Sequence, residues 1–286
     1  MSGRTGRHAA IDLLAGIGKA SADAPFDLAE AALAFAVLAR PELDLGPYRR
    51  HLAELVAAVA ARAEHLEDKP DGDATLRQAA ALCTTFVENY GYQGDRETYD
   101  DLDNADLARV IDRRRGLPVA LGILWMHAAR AQGWAIEGLA FPGHFLLRLG
   151  AGAAGVILDP FDLGRIHDAA SLRGLIKATI SPEAELAPAH YAAVGDRDVL
   201  LRLENNIKLR LIREGRLPEA ADLIASMLLV APRQPALWRE LGLIQARLGN
   251  LQHAALAMQT FIDLQPSPEE IRHAAQVLRD LKNRLN

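Results

Sequence analysis

The chain has 286 residues, of which 50% are hydrophobic and 24% are charged, with a formal net charge of −5 and a pI near 6.0. This length allows about two domains, and the acidic balance argues against nucleic-acid binding by bulk electrostatics. No apolar run reaches the ~18 residues of a membrane span, and the N-terminus lacks a hydrophobic segment long enough for secretion. We therefore expect a cytoplasmic protein with no nucleic-acid and no membrane partner.

The N-terminal quarter of the chain is predicted to be helical. Apolar residues recur at helix spacing near residues 8–19, 27–39 and 47–66, and prolines separate these segments. We expect residues 1–75 to form a helical segment that packs on the core of the protein.

The single cysteine, Cys83, lies in a helix predicted over residues 76–87. Free cysteine is among the most buried residue types. No neighbouring base or helix N-terminus activates this thiol, so we interpret Cys83 as a structural residue. One cysteine excludes an intramolecular disulfide and a cysteine-based zinc site. The spacing of His127, His144 and His167 does not match a metal motif, and we expect no metal and no cofactor.

Two charged segments of opposite sign lie before the central helix. Residues 95–103 carry five carboxylates, and Arg113, Arg114 and Arg115 follow. The arginines could bind an anion beside a cleft, but neighbouring charge runs often neutralise each other. We favour pairing between the two segments. The carboxylates do not have the spacing of an EF-hand loop, which disfavours calcium binding.

A buried helix is predicted to begin at Pro118 and to end at Gly133. Proline suits the first helical position because no N–H donor is needed there, and glycine suits the C-terminal cap. Small and large apolar residues alternate between them, as expected for a central helix that packs on several sides.

Two strands joined by a glycine-rich connector follow this helix. Residues 141–149 and 156–160 have strand character, and residues 150–155 have the composition of a hairpin loop. A pairing in which opposed residue numbers sum to 303 places His144 directly opposite Asp159. Directly opposed side chains lie roughly 4.5–5.5 Å apart at Cβ.

The same register predicts how the side chains divide between the two faces of the sheet. His144, Leu146, Ile157 and Asp159 share one face, and the other face is apolar and suited to packing on helices. An imidazole held by a carboxylate is the base and orienting half of a catalytic triad. A buried histidine and an Asp-Pro strand exit also occur for purely structural reasons, and both interpretations stay open at this point.

The C-terminal part of the chain repeats at an interval of 34 residues, the tetratricopeptide period. Three pairs of identical residues show the repeat: Gly215 with Gly249, Ala220 with Ala254, and Pro232 with Pro266. Glycine allows the tight turn between two helices, alanine allows their close crossing, and proline ends the second helix. We expect tetratricopeptide repeats over residues 196–286, closed by an amphipathic capping helix from Pro268 to about Arg284.

Four segments together resemble the SirB-type transglutaminase-like proteins, bacterial members of the transglutaminase superfamily that carry helical repeats behind the core. The resemblance covers about residues 85–185, and its motifs are residues 99–104, 110–121, 141–145 and 158–161. It implies an α+β fold that is mostly helical. The papain- or transglutaminase-like core, with its small antiparallel sheet, would span residues 76–195.

The resemblance also implies roles for individual residues. His144 matches the catalytic base of the superfamily, and Asp159 matches the acid that orients it. The position of the nucleophilic cysteine falls on Pro118, which has neither a thiol nor a hydroxyl. The resemblance therefore implies a remnant dyad without its nucleophile.

Two functions are compatible with the sequence. The favoured one is a non-catalytic module that binds a protein or peptide partner through its repeats, with a concavity near Gln245, Arg247 and Gln252 as a candidate contact surface. The alternative is a hydrolase or acyl-transfer enzyme in which the His144–Asp159 dyad activates water or a substrate group without a cysteine. That chemistry needs an oxyanion site, which the sequence does not identify. The sequence specifies neither the partner nor the oligomeric state.

Overall fold

The computed structural model describes residues 3–21, 24–67, 73–152 and 155–285. The chain folds into two compact units, and each is described by itself. The first comprises Met1–Ala24, Val37–Pro41 and Glu204–Asn286, and the second comprises Pro25–Ala36 and Glu42–Leu203. The grouping differs from the predicted segments 1–75, 76–195 and 196–286, because the first helix belongs with the repeats. The independence of those segments as domains stays a prediction.

Helices make up most of the described chain, in agreement with the predicted α+β class. In chain order they are α1 (Gly3–Lys19), α2 (Leu28–Ala39), α3 (Gly46–Glu67), α4 (Ala74–Cys83), α5 (Leu107–Arg113), α6 (Pro118–Ala131), α7 (Ala169–Thr179), α8 (Asp196–Arg213), α9 (Leu217–Val230), α10 (Pro235–Arg247), α11 (Leu251–Asp263) and α12 (Pro268–Leu285). A π-helical turn, Thr84–Asn89, continues α4. No helix in the described ranges has the length and apolar character needed to cross a membrane.

The described residues form two sheets of short strands. In the smaller sheet, β1 (Gln93–Gly94) pairs in parallel with β2 (Arg115–Gly116). The larger sheet contains β3 (Ile136–Leu139), β4 (Leu146–Leu149), β5 (Val156–Asp159), β6 (Arg165–His167) and β7 (Ala193–Val194). Its strand order is β6-β5-β4-β3-β7, and every neighbouring pair is antiparallel. The prediction of a small antiparallel sheet is confirmed.

The central helix α6 is almost entirely buried, as predicted. It begins at Pro118, and Gly133 follows its end with a φ of +74°, the left-handed conformation that favours glycine. Gly122 allows the sheet to approach the helix closely, because a Cβ atom at this position would lie 2.5 Å from the ring of Phe145. Strand β4 therefore packs directly on this helix.

The hairpin of β4 and β5 has a different register from the predicted one. Leu149 pairs with Val156 and Leu147 pairs with Leu158, so opposed residue numbers sum to 305 rather than 303. Residues 150–152 and 155 lie between the two strands, as predicted for the connector, and residues 153 and 154 are outside the described residues. The predicted direct opposition of His144 and Asp159 is therefore wrong.

The predicted division of side chains between the two sheet faces is correct for the residues of β4 and β5, because a shift of two residues preserves the face of every strand residue. It does not apply to His144, which lies outside the strand. Leu146 is buried in a cluster with residues of α7, and Ile157 packs against the same cluster. On the opposite face, Leu147 points toward Gly122 of α6. Both faces of the sheet are thus covered by helices.

The repeat helices α8 to α12 are joined at the predicted glycine turns, and the last helix has close to the predicted bounds. Gly215 and Gly249 adopt positive φ angles of 74° and 78° between paired helices. Ala220 and Ala254 are completely buried where those helices cross. The last helix begins at Pro268, and its inner face packs on α11 through Ala274 and other apolar residues.

Candidate functional site

The N-terminus of α6 is the position at which the transglutaminase resemblance expects a nucleophile. Pro118 is the first residue of the helix and is buried, and Leu117 precedes it as the N-cap. The Leu117 N–H donates to the carbonyl oxygen of Asn104 at 2.8 Å, which holds the start of the helix in place. Pro118 supplies neither a nucleophilic atom nor a backbone N–H at this position.

His144 lies in the loop that precedes β4, outside the strand. Its backbone N–H donates to the carbonyl oxygen of Phe141 at 3.3 Å, and Gly143 has a φ of +69° in the turn between them. The imidazole meets the ring of Phe141 edge-on at 6.1 Å between centroids. Arg202 donates to the His144 carbonyl oxygen at 2.6 Å. The Pro142-Gly143 dipeptide is a turn signal, and it indicates that the strand begins after this turn rather than at residue 141.

Asp159 lies at the end of β5, where its buried carboxylate holds the following turn. Its Oδ1 atom accepts hydrogen bonds from the backbone N–H groups of Phe161 at 2.9 Å and Asp162 at 3.2 Å. Its Oδ2 atom lies 3.9 Å from Nε2 of His167. Among the described residues, no hydrogen bond or ion pair connects this carboxylate to His144.

His167 is the buried histidine that the sequence interpretation did not connect with Asp159. Its Nδ1 atom lies 3.2 Å from the hydroxyl oxygen of Ser171, which in turn donates to the Asp168 carbonyl oxygen at 2.9 Å. Strand β6 pairs with β5, so that Ile157 opposes His167. The short glycine-containing segment between Asp159 and His167 was the available signal, because it is typical of a tight hairpin.

The surroundings of Cys83 do not activate its thiol. Its Sγ atom donates to the Gly164 carbonyl oxygen at 3.5 Å, and burial, with a smaller contribution from Glu88, raises its pKa to about 11. Gly164 has a φ of +74°, and a Cβ atom there would lie 2.4 Å from the sulfur. The thiol therefore packs against the turn that follows Asp159, in agreement with a structural role.

Two of the three consecutive arginines pair with the acidic segment, as predicted, and the third, Arg114, is bound elsewhere in the protein. Arg113 pairs with Asp95 at 2.9 Å, and Arg115 pairs with Glu97 at 3.4 Å. Arg114 donates to the Tyr92 hydroxyl at 2.8 Å. The acidic segment thus serves to fix the strands beside the start of α6.

Asp95 is the buried centre of this charged network. Burial raises the pKa of its carboxyl, but hydrogen bonds from the side chain and backbone of Thr98 and from the Glu97 backbone outweigh burial and lower the pKa to about 2. The carboxylate is therefore ionised over the physiological range of pH.

A groove of about 600 Å³ lies between α10 and α12 of the repeat unit. Its lining combines apolar and charged side chains: Arg239, Leu243, Met258, Glu269, Glu270, Arg272, His273, Ala274, Gln276 and Val277. An ion pair of 3.5 Å between Arg239 and Glu270 joins the two helices.

The surface predicted near Gln245, Arg247 and Gln252 does not form the lining of this groove. The Gln245 side chain instead accepts a hydrogen bond from Asn250 at 2.7 Å, next to the turn that joins α10 to α11. Sequence periodicity located the repeats but did not orient their surfaces.

The architecture of the second unit corresponds to a known protein family. The model of the transglutaminase-like superfamily matches residues 47–205. The chain belongs to this superfamily. A tetratricopeptide repeat model matches residues 207–279, immediately after it. The order of core and repeats is the order predicted for a SirB-type transglutaminase-like protein.

Bacterial relatives are similar to this chain over most of their length. A UPF0162 protein of Vibrio cholerae is 32% identical over 262 residues, which cover 91% of this chain and 93% of the relative. A UPF0162 protein of Xylella fastidiosa strain Temecula1 is 30% identical over 251 residues and 85% of each chain. Protein SirB1 of Salmonella typhimurium is 26% identical over 218 residues, or 76% of this chain and 79% of the relative. No solved structure matches the chain.

Proposed function

We propose that this SirB-type protein is a non-catalytic, cytoplasmic module that binds a protein or peptide partner through its tetratricopeptide repeats. The observation that carries the proposal is Pro118 at the buried start of α6. Thiol-dependent acyl transfer begins with attack by a cysteine sulfur, which a base deprotonates and a third group orients. Proline cannot perform that attack.

The position of Pro118 removes a second element of acyl-transfer chemistry. Oxyanion sites commonly use backbone N–H groups, among them the N–H of the nucleophile itself. Pro118 has no N–H. The substitution therefore eliminates the nucleophile together with one donor that could stabilise a tetrahedral intermediate.

The groups that match the base and the acid also have other roles in this fold. Asp159 accepts two backbone hydrogen bonds in its own turn and faces His167. The single thiol, on Cys83, has a raised pKa and donates to a backbone carbonyl. Because Asp159 contacts its own turn and His167 rather than His144, these contacts support a non-catalytic core and give no support to a cysteine-free hydrolase.

The repeats supply the binding surface in this proposal. Tetratricopeptide repeats stack helix pairs into extended concave surfaces on which other proteins bind. The groove between α10 and α12 exposes an apolar residue, Leu243, between charged residues such as Arg239 and Arg272. An exposed surface that combines apolar and charged side chains is suited to binding a peptide segment.

Affinity capture from the native cell extract tests the binding role. We expect His144→Ala to capture the same partner as the wild type, whereas Leu243→Ser should reduce capture. Leu256→Ser is the matched control. Leu256 is also an exposed leucine of the repeats, with 64% exposure, but it lies on α11 and does not line the groove. Loss of capture in His144→Ala, with normal capture by Leu243→Ser, would place binding at the core and contradict the proposal.

A further inference from the structure

A cluster of three polar side chains, His51, Tyr92 and Arg114, connects α3 to the segment that precedes α6. His51 lies on α3 and Tyr92 directly precedes β1, and both are buried. Arg114 follows α5 with a φ of +57° and leads into β2. The cluster lies outside the repeats and outside the His144 and Asp159 region.

The hydroxyl of Tyr92 joins the other two side chains. Nη1 of Arg114 donates to its oxygen at 2.8 Å, and Nε2 of His51 lies 2.9 Å from the same oxygen. An arginine can only donate, so the single proton of the phenol is left for the histidine nitrogen. Nε2 of His51 therefore accepts a hydrogen bond from Tyr92, which requires that this nitrogen carry no proton.

The surroundings of His51 disfavour a second proton on its ring. Nη2 of Arg114 lies 3.5 Å from Nδ1 of the imidazole. Oε2 of Glu54 lies 3.4 Å from the same nitrogen, but this side chain is 62% exposed and is screened by water. The ring of Tyr90 meets the imidazole edge-on at 5.5 Å and adds no counter-charge. Burial, followed by the charge of Arg114, lowers the pKa of His51 despite Glu54.

Protonation of Nε2 is incompatible with the contacts of the cluster. The hydrogen bond from Tyr92 would lose its acceptor, and an imidazolium would lie beside the guanidinium of Arg114. The phenol does not supply a compensating negative charge. Burial raises its pKa in spite of Arg114, and Tyr90 and Asp112 raise it further.

The strand pair beside the cluster depends on the same arginine. The Arg114 carbonyl oxygen accepts the N–H of Gln93 at 3.0 Å, and the Gly116 carbonyl oxygen accepts the N–H of Asp95 at 3.2 Å. The Arg114 side chain also donates to the Ile111 carbonyl oxygen in α5. Loss of the contacts between Arg114 and α3 would therefore loosen the β1–β2 pair immediately before α6.

We propose that the three residues form a pH-operated latch, in which protonation of His51 releases the β1–β2 pair from α3 while α6 stays folded. The inference goes beyond the proposed binding function and does not depend on it. The neutral imidazole stabilises the closed latch fully above 6.5, the ordinary pKa of histidine. This stabilisation is lost as the pH falls from 6.5 toward the lower pKa of the closed state, so opening increases with acidity in that window.

Amide hydrogen exchange of the full chain, followed by NMR between about pH 7.5 and about pH 5, tests the latch. After correction for intrinsic exchange, the protection of the Gln93 and Asp95 amides should fall below pH 6.5 by up to about tenfold per pH unit, because one proton is taken up. The Leu121 N–H, which donates to the Leu117 carbonyl oxygen within α6, should stay better protected than Gln93 at every pH.

Two variants assign the effect to His51. His51→Gln replaces the imidazole by a neutral amide, so the protection of Gln93 should no longer change with pH in this window. His65→Gln is the matched control, because His65 is an exposed histidine on the same helix, and it should behave as the wild type. Imidazole ¹⁵N NMR needs no variant. His51 should take up its proton at a lower pH in the folded protein than in urea.

Each alternative outcome contradicts the latch. Protection of Gln93 that does not change with pH, or a change that persists in His51→Gln, would show that His51 does not control the strand pair. Equal protection of Gln93 and Leu121 at acidic pH would mean that the unit unfolds as a whole. Titration of His51 at the same pH in the folded protein and in urea would remove the basis of the inference.

Discussion

The carboxylate of Asp159 faces the imidazole of His167 at 3.9 Å, and His144 is held by a separate set of contacts. The same carboxylate accepts the backbone N–H groups of Phe161 and Asp162. The residue to which the resemblance assigns the role of orienting acid thus closes the turn between β5 and β6. Its position can be explained by folding alone.

A double-mutant cycle should distinguish the two possible partners of Asp159. Asp159→Ala and His167→Ala are expected to show a coupling energy of ~0.5–3 kcal/mol in urea unfolding, because they share a buried contact. Asp159→Ala and His144→Ala should be additive within ~0.5 kcal/mol, because no hydrogen bond connects them. A coupling to His144 larger than the coupling to His167 would contradict the observed geometry.

The thiol of Cys83 should react slowly in the folded protein. Its pKa is raised to about 11, so at pH 8 the thiolate fraction is about 100-fold lower than for a thiol of pKa 9.0. We expect alkylation by iodoacetamide at pH 8 to be slower by about this factor in the native state than in urea. Equal rates in the two states would show that the sulfur is activated or fully accessible.

Asp95 should contribute to stability in a defined range of acidic pH. Its pKa is about 2 in the folded protein and 3.8 without the fold, so its stabilising contribution is complete above about pH 4. The contribution is lost as the pH falls from about 4 toward 2. Asp95→Asn should therefore be less stable than the wild type at pH 7 and should show a flatter loss of stability below pH 4. The comparison uses urea unfolding at several pH values.

An exposed carboxylate of the same unit provides the control for this pH profile. Glu64 lies on the surface of α3. Glu64→Gln should follow the wild-type profile throughout. If Asp95→Asn also follows it, the hydrogen bonds from Thr98 do not stabilise the ionised form in the way the geometry indicates.

Much of the fold was predictable because it depends on periodic patterns. The 34-residue interval located Gly215, Gly249 and the helices around them, and Pro118 and Gly133 bounded the central helix. The two faces of the β4–β5 hairpin were also correct, since side chains alternate with a period of two. These features depend on local chemistry that each segment carries by itself.

The candidate site was less predictable because it depends on a register and on tertiary contacts. A shift of two residues leaves the same side chains on each face of the hairpin. The hydrophobic pattern therefore could not distinguish the predicted register from the observed one. The placement of His167 beside Asp159 required the pairing of β5 with β6. The grouping of α1 with α9 likewise depends on a close approach at Gly18, where a Cβ atom would lie 2.0 Å from the Leu229 carbonyl oxygen.

Acyl turnover by the purified full chain tests the central claim most directly. Ammonia release from a glutamine-containing peptide in the presence of an amine, and p-nitrophenol release from p-nitrophenyl acetate, would be measured for the wild type and His144→Ala. The absence of a nucleophile at Pro118 predicts that the two proteins have equal rates, at the level of the buffer. Turnover by the wild type that disappears in His144→Ala would contradict the account and establish an enzyme.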